Sequence, residues 1–403
     1  MPSARKTVVG ITSKNMKLLY NRFMKFGELT EKEWRGLDFK CRSFLQSEEM
    51  WRRYQGEGRE AYLVGVREGR KVLGAGLVTA RQWRLGRKIW RVAGGWLLDY
   101  DGERRQEILR ALAEGVRKLA REKGAIAVMI SPNVEAQPRD AECQVVTGKD
   151  HLAVKGELER LGYKYLGEYE QAKWQYVLEL KGQTAEGLFK EFRSGHRWQI
   201  RRAEKDGVRV RELEESELGV LKAIAAEAGE RHGFLDPELE YYRSMKKYFG
   251  GQVKFVVAEM PAAKLRAERE KAEGVGATAG AAEEVLKKGE IVNGEKMIPL
   301  AAAMFVNDGR EMVYLYSGSA RKYQKYGGAH LIQWEMIQEA LATGCERYNF
   351  YGVRPVAGDG VYKFKQGFRG HVEELLGTFA LPVGVLGRVY VGRIPEKEMR
   401  GVR

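Results

Sequence analysis

Residues 103–130 read ERRQEILRALAEGVRKLAREKGAIAVMI, and most of the fold can be worked out from them. Ile108, Leu112, Val116 and Leu119 recur at three- and four-residue steps, which predicts one amphipathic helix over Glu103 to Lys123. Gly124 is placed to end it, because glycine takes the left-handed conformation at a helix C-terminus without steric cost. Ala125 to Ile130 is then a short apolar run of the kind that forms a strand buried on both faces. Upstream, Ala61 to Val66, Val72 to Ala80 and Ile89 to Trp96 read as strands, separated by turn signals at Glu68-Gly69 and Leu85-Gly86. A shorter amphipathic helix, Phe44 to Tyr54, precedes them with Ser47 as its N-cap. The order is a meander of strands, a crossing helix and a central strand.

The second half repeats that order. Val253 to Glu259, Ile298 to Asn307 and Glu311 to Tyr316 form a meander with a tight turn at Asn307-Asp308-Gly309. A helix from Gly328 to Thr343 carries Leu331, Trp334, Ile337 and Leu341 and is stopped by Gly344, and the strand Arg347 to Tyr351 follows. The chain is therefore expected to be an α/β protein in two copies: a basic leader over 1–30, a first domain over 31–172 completed by 376–403, and a second over 173–375. Residues 261–295, rich in Ala, Glu, Lys and Gly, are expected to project as a helical arm.

Of 403 residues, 44% are apolar and 31% charged, enough for a sizeable core, and 70 basic against 55 acidic side chains leave a formal charge of +15. That surplus suits a polyanionic partner such as nucleic acid, a nucleotide or an anionic membrane surface. Cys41, Cys143 and Cys345 are odd in number and far apart, which excludes a disulfide framework and the usual zinc spacings, so no metal is expected. No apolar stretch approaches the roughly 20 residues that span a bilayer, so a cytoplasmic protein is expected, with peripheral contact at the inner membrane surface open to the basic N-terminal stretch. There is no HExxH pair, GxSxG elbow or GxxxxGK[ST] loop, which disfavours the common hydrolase and NTPase mechanisms. Between the two copies, Glu186 to Lys205 packs Lys190, Arg193, Arg197, Arg201, Arg202 and Lys205 into a helical segment.

Several motifs then become recognisable: YLYSGSARKYQKY at 314–326, LIQWEM at 331–336, RYNFYGV at 347–353 and VYKFKQGF at 361–368, with FLQSEEMW at Phe44 and HRWQIRRAEKDGV at His196. Together they resemble the FemABX family, the non-ribosomal aminoacyltransferases of peptidoglycan cross-bridges. The resemblance implies two tandem acyl-CoA N-acyltransferase (GNAT)-like domains. It also implies transfer of an amino acid from aminoacyl-tRNA to the stem-peptide amino group of a precursor such as lipid II or UDP-MurNAc-peptide, with no cofactor. Such a site must orient an amine against an ester and place positive charge where the oxyanion develops.

Carried over residue by residue, the resemblance puts a catalytic ammonium on Lys365, next to Phe364, although a lone strand lysine is ordinarily solvated. It puts substrate-contacting side chains on Tyr316, Tyr241 and Tyr351. The basic segment supplies Arg197, Arg201, Arg202 and Lys205 as expected tRNA-phosphate contacts, a composition that a solvated helix face would also have. Three positions depart from the pattern of members acting on the soluble precursor: Gln55 where a lysine is expected, Pro237 where an arginine is, and Ser131 where an aspartate is. The first two are charges that would hold a pyrophosphate, so a lipid-linked acceptor, or compensation by Arg52 and Arg53 beside Gln55, is expected. The third leaves the general base unnamed. A second class is an acyl-CoA-dependent N-acyltransferase, since Gln324 to Ala329 (QKYGGA) fits a loose phosphate loop at a helix N-terminus. A non-catalytic RNA- or membrane-surface-binding protein rests on net charge alone.

Overall fold

The computed structural model describes residues 24–232, 236–266, 291–292 and 295–397. Most of the expected leader (1–23) and most of the expected arm (267–290 and 293–294) lie outside the described residues. The chain divides into two compact units: 24–134 with 151–171 and 376–397, and 135–150 with 172–375.

The first unit is built on one sheet. Its strands run β1 (Met24–Glu28), β2 (Ala61–Glu68), β3 (Lys71–Gln82), β4 (Lys88–Gly94), β6 (Ala125–Pro132), β17 (Thr378–Pro382) and β8 (Lys164–Gly167), with β5 (Leu97–Leu98) beside β3. β1 falls inside the stretch read as leader. It pairs with β2 from Met24–Glu68 to Glu28–Val64, at one end of the strand order of this sheet. The helix Arg105–Glu122 buries Ile108, Leu109, Leu112, Ala113, Val116 and Ala120. Gly74 on β3 has no room for a β-carbon beneath Ile108 and Leu112, so the helix lies close on the sheet. Every residue of β6 is buried, as the apolar run requires, because the helix Gly384–Gly392 covers the other face, with Gly387 seated against the Ile126 carbonyl. Fully burying each such Leu or Val contributes roughly 1.5–3 kcal/mol.

Ser47 caps the helix Glu48–Gly56, its hydroxyl accepting from the Met50 amide at 3.1 Å. Gln46 explains why the FLQS stretch is constrained. Fully buried, it accepts from the Leu77 amide at 2.7 Å and donates to the Ala93 carbonyl, tying β3 to β4 where polar backbone would otherwise be orphaned.

The second unit has the longer sheet, in the order β10 (Arg209–Glu212), β11 (Val253–Pro261), β13 (Glu295–Asn307), β14 (Glu311–Ser319), β15 (Arg347–Gly352), β9 (Trp174–Glu179), β16 (His371–Leu375) and β7 (Glu135–Pro138), with β12 (Ile291–Val292) beside β13. One face is covered by the helices Gly328–Ala342, Ala185–Glu191 and Ser194–Lys205, and its core includes Phe192, Ile200, Phe305, Ile337, Tyr348, Phe350 and Phe368. The Tyr348 hydroxyl, buried there, donates to Gln333 of the Gly328–Ala342 helix at 2.8 Å. The helices Leu218–His232 and Leu239–Phe249 also belong to this unit. Both units contain the meander, crossing helix and parallel central strand read from the sequence, so the fold is α/β with two tandem GNAT-like domains.

Candidate active site

The two sheets differ at one seam. In the first unit β4 and β6 run parallel through seven pairs, from Lys88–Ala125 to Gly94–Pro132, and stay together. Ser131, at the end of that seam, is buried and hydrogen-bonded to Thr378 at 3.0 Å, so the position offers no opening for a carboxylate. In the second unit the matching strands β14 and β15 share only three pairs, Glu311–Arg347, Met312–Tyr348 and Val313–Asn349, and then part.

Both walls of the opening are bulged. On β14, Phe305 faces Tyr314 but its neighbour Met304 faces Tyr316, leaving Leu315 as the extra residue. The bulge turns two tyrosines that simple alternation would put on one face onto opposite faces. Tyr314 stacks on Phe305 at 5.2 Å, whereas Tyr316 packs edge-on against Tyr241 and Tyr242 at 5.7 and 6.0 Å. On β15, the register with β9 shifts between Asn349 and Gly352, and Tyr351 sits at φ +61°. That conformation costs a bulky residue of order 1–3 kcal/mol and must be imposed by its surroundings. Asn349 imposes part of it, its side-chain oxygen accepting from the Tyr351 amide at 2.7 Å. The Asn349 amide group is in turn fixed by Gln175 at 2.6 Å.

Lys365 imposes the rest. It lies on the short helix Gly360–Gln366, not on a strand as expected, and is 5% exposed. Its ammonium donates to the Phe350 carbonyl at 2.6 Å and the Gly352 carbonyl at 2.7 Å, clamping the bulge from both sides of Tyr351. A third, longer contact runs to the Tyr351 carbonyl at 3.5 Å. Burial pushes this amine down to about 7, with Asp359 opposing, so it changes charge near neutrality.

A cavity of about 530 Å³ fills the opening, lined by Tyr314, Leu315, Ser317, Gly318 and Ser319 from β14, by Phe350, Tyr351 and Gly352 from β15, and by His330, Val361, Phe364 and Lys365, among others. Of the residues expected from the sequence, Lys365, Phe364 and Tyr351 come together here. Tyr316 and Tyr241 meet each other on the opposite face of the sheet. Arg52 and Gln55 belong to the first unit: Arg52 is paired with Glu48 at 2.6 Å and Glu31 at 3.7 Å, and Gln55 donates to the Ala61 carbonyl at 2.9 Å. Arg53 is buried against Glu57 at 2.9 Å. At Pro237, where an arginine was expected, the nearby cation is Lys222, which donates to the Pro237 carbonyl at 2.7 Å and pairs with Asp236 at 2.8 Å.

The basic helix Ser194–Lys205 has two sides. Ile200 and Ala203 are buried, Trp198, Arg201 and Lys205 are exposed, and Arg202 is half-buried over the Trp198 ring at 5.1 Å. Arg197 caps the carbonyls of Lys190 and Phe192. His196 points inward, donating from Nε2 to the Phe364 carbonyl at 2.8 Å and meeting His330 edge-on at 4.7 Å. Burial, and then the neighbouring His196, holds His330 down at about 3, so it is a neutral imidazole at the cavity wall. Sequence reasoning missed His330. Its signal was its place two residues after Gly328, in the first turn of the helix Gly328–Ala342.

The glycines of the QKYGGA loop have a packing reason. Gly327, at φ +71°, has no space for a β-carbon against the Gln199 carbonyl, and Gly328 sits against Leu300 and Ala258. The basic helix lies over this loop, which disfavours the acyl-CoA alternative drawn from it.

A parallel seam that parts over a buried lysine, in a duplicated meander-helix-strand fold, defines an acyltransferase-type protein of tandem architecture. The chain belongs to the FemAB family, whose model matches residues 33–285 and 269–387. It is 26% identical to the aminoacyltransferase FemA of Staphylococcus epidermidis over 409 residues, covering 89% of this chain and 96% of that one. The aminoacyltransferase FemA of Staphylococcus aureus strain N315 is also 26% identical, with the same coverage. The crystal structure of FemX superposes with a TM-score of 0.70 at 17% identity, covering 92% of this chain and all of that one. A tandem GNAT protein from the clavulanic acid biosynthesis pathway gives 0.53 at 11% identity, covering 90% and 99%.

Proposed function

We propose that this aminoacyltransferase moves an amino acid from aminoacyl-tRNA to the stem-peptide amino group of a peptidoglycan precursor, lipid II or a similar lipid-linked acceptor. The observation that carries the reading is the parted seam with Lys365 at its apex, in a chain of the FemAB family. The acceptor amine attacks the ester carbonyl of the donor. A C–N bond forms, the C–O bond to the tRNA ribose breaks, the nitrogen loses a proton and the ribose hydroxyl gains one. Lys365, held closely by two carbonyls, would turn the N–H that now makes only the long 3.5 Å contact to the Tyr351 carbonyl toward the developing oxyanion or the leaving hydroxyl, and its pKa near neutrality lets it give that proton up. His330, held neutral with its pKa near 3, is too weak a base for the amine's proton and serves as cavity wall; that proton leaves to solvent.

Phe364 and Tyr351 would line the aminoacyl group, and Tyr316 with Tyr241 would meet the acceptor from the other face. Arg52 and Gln55 keep only a secondary place in acceptor binding, since their polar groups are already engaged. Arg201, Arg202, Lys205 and Arg197, on the outer side of the helix that carries His196, would take the tRNA phosphates. A lipid-linked acceptor implies a cytoplasmic protein working at the inner membrane surface. Among the described residues no helix is long and apolar enough to cross a membrane. The test is purified protein with labelled glycyl-, alanyl- or seryl-tRNA and either lipid II or the soluble precursor. Transfer of label supports the assignment, and acylation that requires acetyl-CoA overturns it.

A further inference from the structure

We propose that the first unit carries a membrane-docking surface, formed by the β3–β4 turn and the outer face of the helix Gly384–Gly392, that binds anionic phospholipid. The turn places Leu85 at its tip with φ +54° and 98% of its surface exposed. The hairpin turn itself sets this conformation, with Leu85 and Gly86 both at positive φ and the Arg87 amide on the Arg84 carbonyl at 3.2 Å, and it leaves the Leu85 side chain standing in water with nothing packed on it.

The helix carries aliphatic residues on both sides, with Arg388 its one charge. Gly387 and Val391 face the sheet, and Gly387 lets the backbone lie on β6. Val385, Leu386 and Val389 are turned outward, 75%, 44% and 46% exposed. A short helix covered on one side only, whose outer face is aliphatic apart from Arg388, is suited to lie in a bilayer interface. The two segments meet through Trp83 and Tyr390, whose rings pack edge-on at 5.3 Å, so the turn and the helix form one continuous surface.

Charge identifies the occupant. The charged residues within 81–88 and 384–394 are all cationic: Arg81, Arg84, Arg87, Lys88, Arg388 and Arg393. Lys88 is paired with Glu60, while the five arginines are exposed and without an ion pair among the described residues. Apolar side chains rimmed by unpaired arginines match acyl chains beneath anionic headgroups, whereas a second copy of this chain docked through the same face would bring the same cations against each other. The surface deepens the reading that the acceptor is lipid-borne, and it is tested without any transfer reaction, so either can fail alone.

The experiment is flotation of the full chain with vesicles of phosphatidylcholine alone and of phosphatidylcholine containing about a third phosphatidylglycerol. Binding only to the anionic vesicles, weakened by salt, is expected. A Leu85→Ser/Val385→Ser/Val389→Ser variant and an Arg84→Gln/Arg87→Gln/Arg388→Gln variant should each need about tenfold more lipid for half-binding. All six side chains are exposed, so the melting temperature should not move. Failure of the full chain to bind anionic vesicles, or undiminished binding by both variants, overturns the proposal. Concentration-dependent self-association that the serine variant abolishes, with no vesicle binding, overturns it in favour of an interface between copies.

Discussion

Gly367 lies so close beneath His196 that a β-carbon built on it would stand 2.0 Å from the imidazole. The same imidazole holds the Phe364 carbonyl, and the Arg193 amide donates to the Gly367 carbonyl at 2.9 Å. The basic helix and the lysine-bearing helix are thus fastened at one point that only glycine fits. Gly367→Ala should push His196 out, lower stability by about 1–3 kcal/mol through overpacking, and reduce transfer at temperatures where the protein stays folded. Melting curves and steady-state rates check both parts.

Lys365→Ala should reduce transfer on the order of 10²-fold or more, because the oxyanion loses its cation. Lys365→Arg should not restore it, since a planar guanidinium cannot place its donors on the Phe350 and Gly352 carbonyls as a single nitrogen does. Unchanged turnover in the alanine variant would remove Lys365 from the mechanism and leave the fold intact.

The same lysine should also appear in stability against pH. Its folded pKa is lowered to about 7 from an ordinary 10.5, so between those values the unfolded chain holds a proton that the folded one does not. Stability from this group therefore rises as pH climbs from 7, by at most about 1.4 kcal/mol per unit. Denaturation of the native protein and of Lys365→Met at pH 7 and pH 9 should show the native protein gaining relative to the variant at the higher pH.

His330 acts with the same sign in a lower pH window. Its folded pKa near 3 lies below the ordinary 6.5, so the stability present above pH 6.5 drains away as pH falls, on the order of 1–2 kcal/mol by pH 5. His330→Asn should flatten that acid limb, and denaturation at pH 5 and pH 7 checks it.

Arg201→Glu/Lys205→Glu reverses two exposed charges on the outer face of the basic helix. Affinity for aminoacyl-tRNA should fall about tenfold or more, with a shallower salt dependence, and the rate at saturating donor should hold. Filter binding across a salt series distinguishes this from a helix that is merely solvated.

The sequence makes the repeated elements legible because each carries its period. Ile108, Leu112, Val116 and Leu119 mark one helix, and the all-apolar 125–130 run marks a strand covered on both faces. What periodicity cannot mark is a bulge. The extra residue at Leu315 leaves no trace in an apolar-polar pattern, so Tyr316 reads as a neighbour of the site when the ring that faces the cavity is Tyr314. The kink at Tyr351 is written only faintly, as an Asn two positions before a bulky residue and a Gly just after it. Lys365 was nameable from its motif, but its clamp on two carbonyls depends on where a short helix lands, which only tertiary packing decides. Gln46 makes the converse point, since its motif stands out in the sequence and its side chain serves to bind two strands together.

The contrast between seven rungs joining β4 to β6 and three joining β14 to β15 has a practical side for anyone retooling this scaffold. Unzipping the tight seam would sacrifice backbone bonds that nothing else replaces, whereas the loose one already tolerates a gap. Libraries meant to admit a bulkier acyl group belong on residues 314–319 and 350–352, and the first sheet is best left as ballast.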